Sequence, residues 1–452
     1  MSAAQAAIRF GYGPGPNDLP ADDPRAALKA QLRGPDPGLA SGKFSTLPSG
    51  AQAVACMRAD FKTRRQILAK GLPLKGNFKP QSAAMFRQDV AAQVAWAAST
   101  PYGFRERLVW FWANHFSFSA SQNLSGPLIG PLLREAIRPH VTGKFTDMVL
   151  AVERHPAMLR YLANAASVGP DSPVGLRTHR GLNENLGREC MELHTVGLAA
   201  GYTQTDVTNM AKVLTGWSVS TGGGGDSTGF LFRPRAHEPG AQTVLGQSFG
   251  GGEQAGIDAF TYLSTYPTTY ESLAHKLAVH FIADDPPPGA VVQLAGVLRE
   301  TGGDLGATSA ALVDLPQAWV PGTKFKTPFD YFISALRAAP PAAAPPAATL
   351  PAGEVLNSLN GLGQPLWNAP LPNGWPDSIA DWSGADAVMT RIDWAYTYAG
   401  RRHGAAGGTP GQLAQAALGP LLRPATVQAI TQAGGPRAGL TVFLSAPEFQ
   451  WR

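Results

Sequence analysis

Apolar residues recur at spacings of three and four along most of this chain, and each such run predicts a helix with one buried face. Residues 2–10 form the first run and stop at the turn Gly11-Tyr-Gly-Pro-Gly-Pro. A second run, 22–33, starts at an aspartate cap and is halted by Gly34-Pro35. Longer helices are predicted over 49–70 and 81–98, joined by a basic, proline-containing connector at 71–80. Residues 104–118, RERLVWFWANHFSFS from Arg105 on, are aromatic on nearly every side and so belong at the centre of the molecule. Further helical patterns cover 131–137, 145–151, 155–164, 258–283, 290–299, 325–337, 354–362, 385–400, 410–418, 426–433 and 439–445. Short β-like runs occur only around 230–232 and 243–245, where a small hairpin fits. The pattern therefore predicts an all-α fold: one large multi-helix domain over 1–452 with a small β-hairpin insert near residues 228–248. The Gly-rich stretch 218–252 and the Pro/Ala-rich stretch 338–352 read as loops.

The densest run of ionisable residues lies between Gly181 and Trp217, which reads as two helices joined by a tight turn. At 3.6 residues per turn, Glu184, Asn185, Arg188, Glu189 and Glu192 fall within one sector of about 140°. Leu186, Cys190, Leu193 and Gly197 gather on the other side as a packing stripe. Thr203 with Asp206 three residues on predicts a capping box for the second helix.

Composition narrows the function classes. A net charge of +5 with scattered basic residues makes nucleic acid a poor partner. No apolar run approaches the 18 or so residues that a bilayer-spanning helix requires. The start, MSAAQAAIRFGYGPGP, lacks a basic segment followed by a long apolar one, so no signal peptide is expected: either the protein stays in the cytoplasm or this chain is a processed or trimmed form. Two cysteines, Cys56 and Cys190, make no disulfide framework, and Cys190 reads as a small buried hydrophobe.

An ordered series of motifs runs through the chain. It comprises IRFGYGP near the start, FWANHF at 111–116, NENLGRECMELHTVG continuing to TGW at 217, and RPRAHEPGAQTVLG at 233–246. Then follow LAHKLAVHFIADDPPP at 273–288, TGGDL at 301–305, KFKTPFDYFISALR at 324–337, LGQPLWNAPLPNGWP at 362–376 and the closing SAPEFQWR. In this series the chain resembles the bacterial domain of unknown function family 1800 over nearly its whole length. The resemblance implies a single large helical domain with no established activity. It also implies an exported or periplasmic location and a partner protein resembling sulfatases and alkaline phosphatases.

Candidate chemistry centres on the acidic helix face. Glu184, Glu189 and Glu192 beside Arg188 form either a solvated set of ion pairs or a buried cluster whose like charges raise one pKa. Three acids to one arginine leave negative charge that a divalent cation could neutralise. His194 lies near 280° on the wheel, away from that sector, so a metal set drawn from Glu189, Glu192 and His194 would have to borrow His115 or His237. His275 and His280 flank Lys276 on one helix, with His280 expected to pack. No Gly-x-Ser-x-Gly elbow is present, and TGGGGDSTG lacks the Lys-Ser/Thr ending of a phosphate loop. The expected enzyme has Glu184, Glu189, Glu192, Arg188 and His115 as catalytic groups. Asn185, Asn114, His237, Trp217 and Trp375 would bind substrate, with Trp375 as a platform for a sugar ring. Paired carboxylates and aromatic platforms point to a polysaccharide or glycoconjugate. The competing expectation is a non-catalytic binding or assembly protein of the cell envelope.

Overall fold

The computed structural model describes residues 2–15, 18, 21–120, 126–220, 225–340, 350–401 and 408–452. Parts of the Gly-rich stretch (221–224) and of the Pro/Ala-rich stretch (341–349) lie outside the described residues. Nearly every element is a helix, and the fold is all-α with two small antiparallel strand pairs. Local chemistry starts the helices. Ser49 with Gln52 and Thr203 with Asp206 close capping boxes, and Asp23, Asp304 and Thr327 cap others.

Three departures from the sequence pattern have identifiable causes. The run 258–283 is two helices, Glu253–Ser264 and Pro267–Phe281, because Pro267 has no N–H to donate and holds Tyr266 extended. The β insert is two hairpins rather than one: β1 (Trp217–Val219) pairs with β2 (Phe230–Phe232), and β3 (Gln242–Val244) with β4 (Gln247–Phe249). The second turns through Leu245 and Gly246, both at positive φ, a two-residue geometry that matches strand twist. Leu245 tolerates it because its N–H donates to Asp206 and its carbonyl accepts from the Tyr262 hydroxyl. A helix at Leu305–Asp314, capped by Asp304, had no counterpart in the pattern.

Buried side chains form two apolar clusters. The larger gathers the Gly103–His115 helix, residues 128–162, the Asn185–Leu214 region and the Pro267–Phe281 helix. The smaller gathers the helices Pro328–Ala338, Ala352–Gly361, Ala385–Arg401, Pro410–Leu418 and Pro436–Ser445. Phe86 and Trp367 pack against both. The Gly103–His115 helix is buried on all sides, as its aromatic content predicts, and contributes to both clusters.

Candidate active site

Where the two clusters meet, a cavity of about 370 Å³ opens. Its walls are aromatic: Trp110 and Trp367 stack with their rings 5.8 Å apart and 9° from parallel, and Phe329 lies 4.3 Å from Trp110. Trp375 lines the cavity from the turn Asn373-Gly-Trp-Pro. That turn is clasped by Asn114, whose side chain donates to the Trp375 carbonyl and accepts from its N–H at 2.9 and 2.8 Å. Gly374 makes the clasp possible: φ is +83°, and a Cβ there would stand 2.5 Å from the Asn114 carbonyl oxygen. Trp367 also has positive φ, +52°, a conformation that a bulky residue adopts only when its surroundings impose it.

Below the aromatic walls lies a polar floor. The Pro267–Phe281 helix is pinned by Leu273, Ala274, Leu277, Ala278 and Phe281, which directs Lys276 and His280, four residues apart, to the cavity. His280 Nδ1 lies 2.5 Å from an Asp377 carboxylate oxygen, so this nitrogen carries the proton and donates. Nε2 is buried and has no hydrogen-bond partner among the described residues. Burial pushes the imidazole down to about 4 despite the opposing pull of Asp377, and the ring is neutral at pH 7. Burial alone would raise the Asp377 carboxyl. The His280 N–H and the charges of Arg452 and Lys324 outweigh it, and the group stays below the usual carboxylate range.

Arg452 arrives because residues 450–452 run antiparallel to 324–326, with Arg452 N–H donating to the Lys324 carbonyl at 2.8 Å. Its guanidinium donates to the His280 carbonyl at 2.8 Å and pairs with Asp377 at 3.2 Å and Asp330 at 2.9 Å. Arg107 pairs with Asp330 at 2.9 Å, donates to the Gly11 carbonyl and lies over the Tyr12 ring. Burial would raise Asp330, but Arg107 and Arg452 hold it well below its ordinary value. Lys324 completes the set with ion pairs to Asp284 and Asp377.

Lys276 is held from the other side. Its ammonium donates to the Leu193 carbonyl at 2.8 Å and to His115 Nδ1 at 3.3 Å, and burial lowers it to about 8. His115 Nε2 sits 3.2 Å from the His194 carbonyl, so it carries the proton and leaves Nδ1 to accept. Burial, then Lys276, push the His115 imidazole well below its usual value. The carbonyls of Leu193 and His194 are free because the Asn185–Glu189 helix widens into a π turn at Cys190–His194 and ends there. The negative end of that helix therefore faces a cation. His194 is fixed in turn by Glu153, 2.6 Å from its Nδ1 and fully buried.

The expected constellation is divided by this geometry. His115, Asn114 and Trp375 line the cavity. Glu184, Arg188 and Asn185 lie on the solvent side, where Glu184 accepts from Thr208, Gln204 and Arg188 and is held below its usual pKa, chiefly by Thr208. Glu189 is half-buried and raised by burial, and Glu192 accepts from Tyr202 at 3.4 Å; neither lines the cavity. His237 spends both ring nitrogens on backbone, Nδ1 toward the Thr215 carbonyl and Nε2 accepting from Gly252 N–H. Trp217 is wholly buried with its indole against Gly256, so it reaches no ligand. Among the described residues, no three of His, Cys, Asp and Glu stand where they could share a metal ion. His194 touches the site through its carbonyl, not as a metal ligand.

The pattern of single helices missed Asp377, Asp330, Lys276, Arg107, Arg452 and Glu153, and read His280 as packing only. One signal pointed to them: 111–116, 273–288, 324–337, 362–376 and the closing residues all converge on this cavity. No curated protein and no solved structure matches the chain. A family model described as Protein of unknown function (DUF1800) matches residues 5–451, and the chain belongs to that family.

Proposed function

We propose that the protein is an acid–base enzyme acting on an acidic polysaccharide or glycoconjugate, with His280 as proton acceptor. The carrying observation is the His280–Asp377 pair beside Lys276 at the foot of an aromatic-walled cavity. With Nδ1–H committed to Asp377, the lone pair at the buried Nε2 is the basic site once substrate entry uncovers it, and the carboxylate offsets the charge that appears when a proton is taken. Lys276 uses two of its three N–H bonds on Leu193 and His115, and the third is left to meet an anionic group. Trp375 and Trp367 offer flat apolar faces of the kind that stack on sugar rings.

The reaction class that uses these parts is elimination next to a carboxylate. His280 takes the proton from the carbon beside the sugar carboxylate, whose charge Lys276 neutralises. The C–H electron pair becomes the new C=C bond as the glycosidic C–O bond breaks, and the leaving oxygen takes a proton from water. Hydrolysis by paired carboxylates is a poorer fit, because Asp330 is held ionised by Arg107 and Arg452, and Asp377 by His280 and Arg452, so neither can donate a proton.

The test compares uronate-containing with neutral oligosaccharides. Thermal shift reads binding, and ultraviolet absorbance of the new double bond reads turnover. Lys276→Met should abolish selectivity for the acidic sugars, and His280→Gln should keep binding while turnover falls at least about a hundredfold. Binding without turnover in the wild type would favour a binding protein. Equal behaviour of the wild type and Lys276→Met would remove the reading altogether.

A further inference from the structure

From Ala55 to Gln88 not one residue is buried, although this stretch holds most of the long helix Gly50–Ala69 and the first two turns of Gln81–Ser99. Only the roots are embedded: Gly50, Ala53 and Val54 on one side, Asp89, Val90, Gln93, Val94 and Ala97 on the other. The Gly50 N–H donates to Glu135 and fixes the entry. The first helix therefore runs outward for about 20 Å beyond its root. It returns through the connector 71–80, with Asp60 accepting from the N–H groups of Gln81 and Ser82.

The basic residues that read as scattered along the chain leave their net excess on this arm. Residues 56–80 hold Arg58, Lys62, Arg64, Arg65, Lys70, Lys75 and Lys79 against the single acid Asp60, a net +6. The whole chain is +5, so everything else sums to −1. No ion pair or hydrogen bond among the described residues engages the side chains of those seven. Among the cations stand large apolar side chains in water: Phe61 is 60% exposed, Leu68 52% and Leu72 45%. At 100° per residue Phe61 and Leu68 share one outward line, with Arg58 and Arg65 within about 60° on one flank and Arg64 on the other.

We propose that this arm docks the protein on an anionic lipid surface, independently of what the cavity does. A cationic arm with spaced phenyl and isobutyl groups matches a bilayer interface, which takes the apolar groups below the headgroups and the cations at their level. A nucleic-acid backbone would use the cations and leave Phe61, Leu68 and Leu72 in water. A protein partner needs a continuous patch with a buried centre, whereas these three side chains are separated by charge.

The full chain is tested by co-sedimentation with vesicles of phosphatidylcholine alone and of phosphatidylcholine with phosphatidylglycerol. Binding is expected only to the second, falling as salt rises. Lys62→Glu/Arg64→Glu/Arg65→Glu should weaken it by about a hundredfold or more, since each basic residue near such a surface contributes on the order of 1 kcal/mol. Phe61→Ser/Leu68→Ser should weaken it about tenfold or more at unchanged charge. Both variants should melt with the wild type, because no substituted side chain is buried. Failure of the wild type to sediment with phosphatidylglycerol, insensitivity to the charge reversal, or tighter binding to duplex DNA than to vesicles would each overturn the proposal.

Discussion

Between pH 6.5 and about 4 the imidazole of His280 takes up a proton in the unfolded chain but not in the folded one. The unfolded state then binds more protons, so this group's contribution to stability falls as pH drops through that window, by up to about 3 kcal/mol. Asp89 acts in the opposite sense. Burial lifts its carboxyl to about 6 against the pull of Arg134, and folding favours its protonated form between 3.8 and 6. The His280 component is isolated by difference. Denaturant unfolding at pH 7 and pH 4.5 should show wild type losing more stability on acidification than His280→Gln, and equal losses would mean the ring is not buried neutral. Two glutamates also separate sharply here: Glu153→Gln and Glu184→Gln look alike on paper. Glu153 is wholly buried against His194, and its replacement should destabilise by about 1–3 kcal/mol. Glu184, in water with an exposed arginine, should matter by no more than about 0.5 kcal/mol, as melting curves of the two variants would show.

At the scale of elements, the helix ending at His194 organises the site in a way that its side-chain pattern did not announce. A helical wheel assumes uniform turns, and it placed the Glu face as the business side. The π turn at Cys190–His194 breaks that uniformity and offers the carbonyls of Leu193 and His194 to Lys276 and His115. What was legible came from short-range rules: the capping box at Thr203, the buried aromatic helix, and the arm's two long helices. What was not legible was long-range. His280 and Asp377 are 97 residues apart, and nothing in HFIADD or NGWPDS states that they touch. A polar residue on a helix packs or reacts according to what faces it, and only tertiary placement supplies the partner. The same holds for Pro267, whose break was visible as a proline but was overruled by the apolar spacing on either side.

For the whole molecule, the ion network beneath the cavity ties the two apolar clusters together. Arg452 meets Asp330, on a helix of the smaller cluster, and the carbonyl of His280, on a helix of the larger. Arg452→Met should destabilise by about 3–5 kcal/mol, because it leaves Asp330 and Asp377 each short of a cation in a buried setting. A denaturant midpoint unchanged from wild type would show that the network is dispensable. The stacked indoles of Trp110 and Trp367 have a practical corollary. Trp367 touches Phe86 in the arm's return helix while its other neighbour walls the cavity, so one pair of fluorophores borders both surfaces. Subtracting the emission of Trp367→Phe from that of the native chain yields a label-free optical gauge. Titrated with sugars or with vesicles, that gauge reports whether an event at one surface is felt at the other.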